Sequence, residues 1–289
     1  MLNNLILLAS SLLLTTATWG ASEAPLTLKV YNADSNSFHV NSTLIHGETE
    51  AVVVDAGFTK ADALRIAANV LDSGKHLTTI FVSQADPDFY FGVETLKQLF
   101  PDVKVFATPA VRDAIAKKMA AKLAFWGPKM FNNAPNSPVL PDAYKASSFS
   151  VDGYKVEIKA DDGILAHRPY LWIPSSKTIL GDIGVFGQLH VWTADTQSRQ
   201  ALEAWKRQLK EMQALQPLQV IPGHMKAGTS LEISNISYTL EYLEAFSKAK
   251  RDSTDSDALI MKMTTLYPSA GLAVALDIGA KVHMGEMKW

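Results

Sequence analysis

The chain has 289 residues, 47% of them hydrophobic and 9% aromatic, enough to bury a sizeable core, so disorder is excluded as the default state. Its 27 basic and 29 acidic side chains give a formal net charge of -2, with no basic surplus to neutralise a phosphate backbone, so nucleic acid is not an expected partner. There is no cysteine, which excludes disulfides, thiolate nucleophiles and cysteine-ligated zinc.

In chain order, residues 1–22 read first as an export signal: an apolar run from Leu5 to Leu14 is followed by small residues and a polar Ser-Glu. Thr15, Thr16 and Thr18 stop that run short of the roughly 20 apolar residues a membrane anchor needs. Residues 23–289 are then the mature protein, expected as one domain in the periplasm or outside the cell, with no stable membrane insertion. Leu26–Tyr31 and Ser37–Ile45 alternate like half-buried strands around a turn at Asn32–Asn36. Ala51–Asp55 is an apolar, β-branched strand, and Thr59–Leu71 repeats apolar residues at helical spacing.

Strand and helix then alternate through Thr78–Ser83, Val93–Phe100, Val103–Ala107 and a helix from Pro109 to about Leu123. From Ser147 the texture changes to short strands with turns at Asp152-Gly153 and Asp161–Gly163, continuing through Leu171–Ile173 and Thr178–Leu180. Ala201–Leu215 returns to helix, Leu218–Ile221 to strand, and the rest is helical with a break at Pro268–Gly271. Two such halves predict an α/β fold of two sheets packed face to face with helices outside, a four-layer αββα sandwich.

Chemistry-bearing residues gather where strands end. Ser83-Gln84-Ala85-Asp86-Pro87-Asp88-Phe89 lies between a strand and a helix, the edge at which α/β folds present ligand-binding side chains. Two carboxylates so spaced repel unless a cation or a shared proton intervenes; the alternative is an Asp-Pro-Asp turn that only caps the helix. Gly163–His167, Ile179–Asp182 and Val220–His224 are expected to end three further strands, in His167, Asp182 and His224.

Together with Asp55-Ala56-Gly57, these segments resemble the five signature segments of the metallo-β-lactamase superfamily, over about Leu26 to Met225. The resemblance implies that superfamily's fold and a centre of one or two metal ions with a hydrolytic water. Its second segment normally reads Thr/Ser-His-x-His-x-Asp-His-x-x-Gly, whereas this chain has Gln84 and Asp86 for the first two histidines and Phe89 for the last. By resemblance, Gln84, Asp86, His167 and Asp182 would hold a first ion. Asp88, Asp182 and His224 would hold a second, one imidazole short, so one ion is expected rather than two. Oxygen ligands are harder than imidazole, which lowers the affinity for zinc and widens tolerance to manganese, iron, magnesium or calcium.

Asp88 would then carry the catalytic water and act as base. His190 follows the Gly-Asp strand and would either face the substrate or pack beside Trp192. The aromatic, Met-containing stretch Lys122–Phe131, broken by Gly127-Pro128, reads as a lid or pocket wall, or as ordinary packing at a helix end. With Tyr90 and Phe91 nearby it favours an apolar over a phosphate-rich substrate. The expected activity is metal-dependent hydrolysis of a small, partly apolar ester, lactone or related acyl compound, with penicillins a weaker expectation. The alternative is a non-catalytic or metal-free small-molecule-binding protein on the same scaffold.

Overall fold

The first sheet joins β1 (Thr27–Asn32), β2 (Asn41–His46), β3 (Glu50–Val54), β4 (His76–Phe81), β5 (Lys104–Ala107) and β6 (Asp142–Ala143) in that order. β1, β2 and β3 pair antiparallel, and β3 to β6 are parallel. The structure, a computed structural model, describes residues 26–160 and 162–289; the expected export signal lies outside the described residues.

The parallel strands are apolar because both of their faces are covered. On β3, Val52 and Val54 face the second sheet while Ala51 and Val53 face helices. Those helices are α1 (Lys60–Ser73), α2 (Pro87–Tyr90), α3 (Val93–Leu99) and α4 (Pro109–Met130). α1 opens on a capping box between Thr59 and Asp62 and stops at the left-handed Gly74. Its buried arc, Ala63, Ile66, Ala67 and Val70, ends one residue earlier than the sequence pattern suggests, with Leu71 exposed.

The second sheet is built from β7 (Ser148–Val151), β8 (Tyr154–Lys159), β9 (Tyr170–Ile173), β10 (Thr178–Leu180) and, after the short β11 (Phe186–Gly187), β12 (Gln219–Val220). Its order is β12-β10-β9-β8-β7, with β12 and β10 parallel and the others antiparallel. β11 pairs in parallel with β13 (His224–Met225). α5 (Arg199–Ala214), α6 (Ser234–Arg251), α7 (Ser256–Leu266) and α8 (Ala273–His283) cover its outer side. Between the sheets, Ile45, Val54 and Phe81 meet Val156, Ile158, Leu171 and Leu180. The layers are helix, sheet, sheet, helix, the expected αββα sandwich. No helix of the described residues is long and apolar enough to cross a membrane.

Three local expectations change. The first half of Ser37–Ile45 is a 3-10 turn, Ser35–Ser37, followed by Phe38 and His39 at positive φ, and the strand starts only at Asn41. Gly163–Leu165 is likewise a 3-10 turn, so His167 leaves an irregular loop and not a strand end. α4 runs through Gly127-Pro128 to Met130. A proline disrupts a helix interior by losing an N–H and crowding the preceding turn; here it falls in the final turn, where little helix is left to break.

Candidate functional site

The crevice forms at the carboxyl ends of β3, β4, β10 and β12. After β3, buried Asp55 accepts the Ser83 N–H at 2.8 Å and the Ser83 hydroxyl at 2.7 Å, tying the end of β3 to the loop after β4. Burial raises its carboxyl to about 7 against those two bonds. Gly92 completes the tie, since a Cβ there would stand 2.0 Å from the Ala56 carbonyl oxygen. β10 and β12 are adjacent and parallel, so the loops bearing Asp182 and His224 emerge together. Their contact requires Gly223, where a Cβ would lie 2.2 Å from the Asp182 carbonyl oxygen.

Asp88 and His224 meet directly, with Asp88 Oδ2 2.8 Å from His224 Nε2, both side chains buried. The His224 ring stacks on Phe186 at 5.3 Å and takes the edge of Phe89 at 5.3 Å. Burial, with His39 close by, depresses this imidazole to about 3, while burial and the neighbouring Asp86 push the Asp88 carboxyl well up. Both directions disfavour an ionised pair. His224 Nδ1 is buried without a hydrogen-bond partner.

Asp182 is fully buried; its Oδ1 accepts the Gly184 N–H at 2.6 Å, and its Oδ2 has no partner. Burial raises its carboxyl to about 7, opposed by Gly184 N–H and by the charge of Arg168. Gln84 is buried, and its amide donates to the carbonyls of Pro169 at 2.9 Å and Gly181 at 3.4 Å, stapling three loops. Asp86 occupies the N-cap position of α2 without a side-chain cap bond and instead lies 3.9 Å from Lys122, so simple helix capping does not account for it.

These residues divide between two adjoining cavities. One is aromatic, walled by Phe38, Phe58, Trp126, Phe186, Trp192 and Trp289, with Asp86, Asp88, Lys122, Asp195 and His224 as its polar elements. The other is polar and contains Gln84, Lys118, the exposed His167, Arg168 and Asp195. Asp86, Ile183 and Asp195 belong to both. His190 lines neither; it is buried with Nδ1 3.0 Å from the Tyr242 hydroxyl, a packing position and not a substrate-facing one. Trp126 and Lys122 are pocket wall as expected, but Tyr90 and Phe91 belong to the core under the first sheet. Arg168 and Asp195 have no motif to announce them: Arg168 sits in an irregular turn, and Asp195 acquires its place by accepting the indole N–H groups of Trp192 and Trp289.

The donor set differs from the metal centre the resemblance implies. Among the described residues no three acid or imidazole side chains are arranged to share one cation. Asp88 and His224 face each other, His167 lies in the other cavity, and Phe89 replaces a ligand with a ring packed on His224. The residues present do not fit the two-ion centre.

The family model described as the metallo-beta-lactamase superfamily matches residues 36–162. No curated protein matches the sequence. Among solved structures, a metallo-beta-lactamase family protein from Thermus thermophilus is 16% identical, with TM-score 0.64, covering 90% of this chain and 93% of its own. A metallo-beta-lactamase from Pontibacter korlensis is 18% identical, with TM-score 0.53, covering 78% and 97%. The DIM-1 metallo-beta-lactamase is similar at 16% identity and TM-score 0.51, covering 77% and 97%. Identities this low speak for the fold, one whose members are generally metal-dependent hydrolases that bind divalent metals such as zinc. The family match over residues 36–162, the αββα layers and the order of the five signature segments agree: the chain is similar to the metallo-β-lactamase superfamily, with a divergent metal motif.

Proposed function

We propose that this chain uses the superfamily scaffold to hold a small, partly apolar acyl compound in the aromatic cavity, without a bridging pair of metal ions. The observation that carries this reading is the 2.8 Å contact between Asp88 Oδ2 and His224 Nε2, which pairs the two side chains with each other at the aromatic cavity. Aromatic walls supply apolar contact area, and a few fixed polar groups orient the ligand, the usual make-up of a small-molecule site. The second reading is a metal-dependent hydrolase of a small ester, lactone or related acyl compound, on a single ion near Asp88, Asp182 and His224. What favours it is the buried, unpartnered Oδ2 of Asp182.

Metal analysis of the purified protein, with thermal melts before and after chelation, separates the two. A ligand bound only by the native state raises its stability. The first reading expects substoichiometric metal and an unchanged Tm. Stoichiometric metal that disappears in Asp182→Ala or His224→Ala, with a Tm that drops on chelation, would establish the second in its place. From the apolar run Leu5 to Leu14 we also propose that the protein acts outside the cytoplasm, which the cleavage state of the N-terminus in exported material checks.

A further inference from the structure

We propose that the polar cavity is a carboxylate subsite centred on Arg168, so that the ligand is an amphipathic carboxylic acid whose apolar part lies among Phe38, Phe58 and Trp126. This rests on the reading above that the aromatic cavity takes a small, partly apolar compound.

The inference begins with how the cavity's charges are committed. Asp195 has both oxygens occupied, Oδ2 by the Trp192 indole at 2.8 Å and Oδ1 by the Trp289 indole at 3.0 Å. Asp86 is opposed by Lys122 at 3.9 Å. The cations left over are Lys118, exposed at the rim, and Arg168, only 6% exposed. Arg168 is held firmly. Its Nη1 donates to Thr196 Oγ1 at 2.8 Å, its guanidinium carbon stands 5.2 Å from the Trp205 ring centre, and its carbonyl accepts from Gln208 Nε2 at 2.8 Å.

A guanidinium has five N–H donors. Among the described residues only the bond to Thr196 occupies one of them, and no carboxylate lies within ion-pair distance. A cation so nearly buried is costly unless a counter-charge meets it. Arginine's planar fork suits the two oxygens of a carboxylate. Asp86 and Asp195 stand on the same wall, so a monoanion is tolerated where a phosphate dianion is repelled. Because Asp86, Ile183 and Asp195 line both cavities, and Asp195 is already committed to two indoles, one ligand can span them, head on Arg168 and tail among the aromatic rings.

The test is calorimetric titration of the full chain with octanoate, with its uncharged counterpart octanamide, and with inorganic phosphate. Wild type is expected to prefer octanoate over octanamide by at least about tenfold. Arg168→Met should bring that ratio close to unity by weakening octanoate far more than octanamide, and Arg168→Lys should restore part of it. If Arg168→Met does not fold, Lys118→Gln at the exposed rim decides, with a ratio reduced a few-fold. Equal binding of octanoate and octanamide, a ratio unchanged in the folded variants, or displacement of octanoate by phosphate would overturn the carboxylate assignment alone. Absence of binding by either compound, or binding of both that is unchanged in Trp126→Ala, would remove the aromatic-cavity reading and the subsite with it.

Discussion

Asp62 shows how a single carboxylate organises the approach to the site. It accepts the hydroxyls of Tyr31 at 2.6 Å, Ser37 at 2.6 Å and Thr59 at 2.7 Å, and the Thr59 N–H at 3.0 Å. Burial pushes its carboxyl up, but the bonds from Ser37, Tyr31 and Thr59 outweigh burial and hold it below the ordinary value. Asp62→Ala should therefore cost about 3 kcal/mol, from lost charge-assisted bonds and a lost helix cap. The pH dependence follows from the depressed value. This contribution is fully present above the unfolded carboxylate's pKa of about 3.9 and fades as pH falls through the lower folded one. Urea midpoints of wild type and Asp62→Asn, followed from neutral pH into acid, should converge at the acid end; parallel curves would count against the linkage. At this scale the sequence is readable at Asp182, just past β10, and less so at His224, which opens β13 and does not end the strand before it. It is silent on Arg168, whose meaning depends on Thr196 and Trp205 brought to it by a distant helix and loop.

Among the elements, α4 is half legible. Its start is signalled by Thr108 and Pro109, and Thr108 does accept the Val111 N–H. Its end lies beyond the expected one because Gly127-Pro128 looks like a break. The helix persists for another turn with only Val111 and Ile115 buried, and its last turns swing Trp126 against Phe38 and Phe58 at 5.3 and 5.6 Å. That contact, not amphipathic periodicity, makes this segment a pocket wall. Gly127 has helical backbone directly before Pro128, and beyond its chain neighbours a Cβ there would meet only Leu123 Cδ1 at an ordinary 3.6 Å. The proline ring crowds a Cβ on a preceding helical residue, so Gly127→Ala should destabilise the protein by about 0.5–1 kcal/mol. Chemical denaturation measures this directly, and a gain of stability would show that the end of α4 does not need glycine before the proline.

For the whole molecule, the site belongs to neither half by itself. Asp88 comes from the first sheet's connections and His224 from the second's, 136 residues apart in sequence. What brings them together is a hydrogen-bonded seam. Buried Asn41 donates its side-chain amide to the Pro222 carbonyl at 2.7 Å and its backbone N–H to the Gly223 carbonyl at 2.8 Å, while the Met225 N–H reaches the His39 carbonyl at 3.1 Å. The two-halves pattern of strands and helices is visible in the sequence, but this seam is not, because an asparagine opening a strand carries no sign of a partner so far away. Asn41→Ala strips the Pro222 carbonyl of its side-chain donor in a buried place, which costs about 1–3 kcal/mol. The damage should be local first. Amide exchange at Gly223, His224 and Met225 should accelerate relative to α6, whose packing on the second sheet is untouched. Uniform acceleration across both regions would mean that Asn41 stabilises the fold generally and does not hold Asp88 and His224 in register.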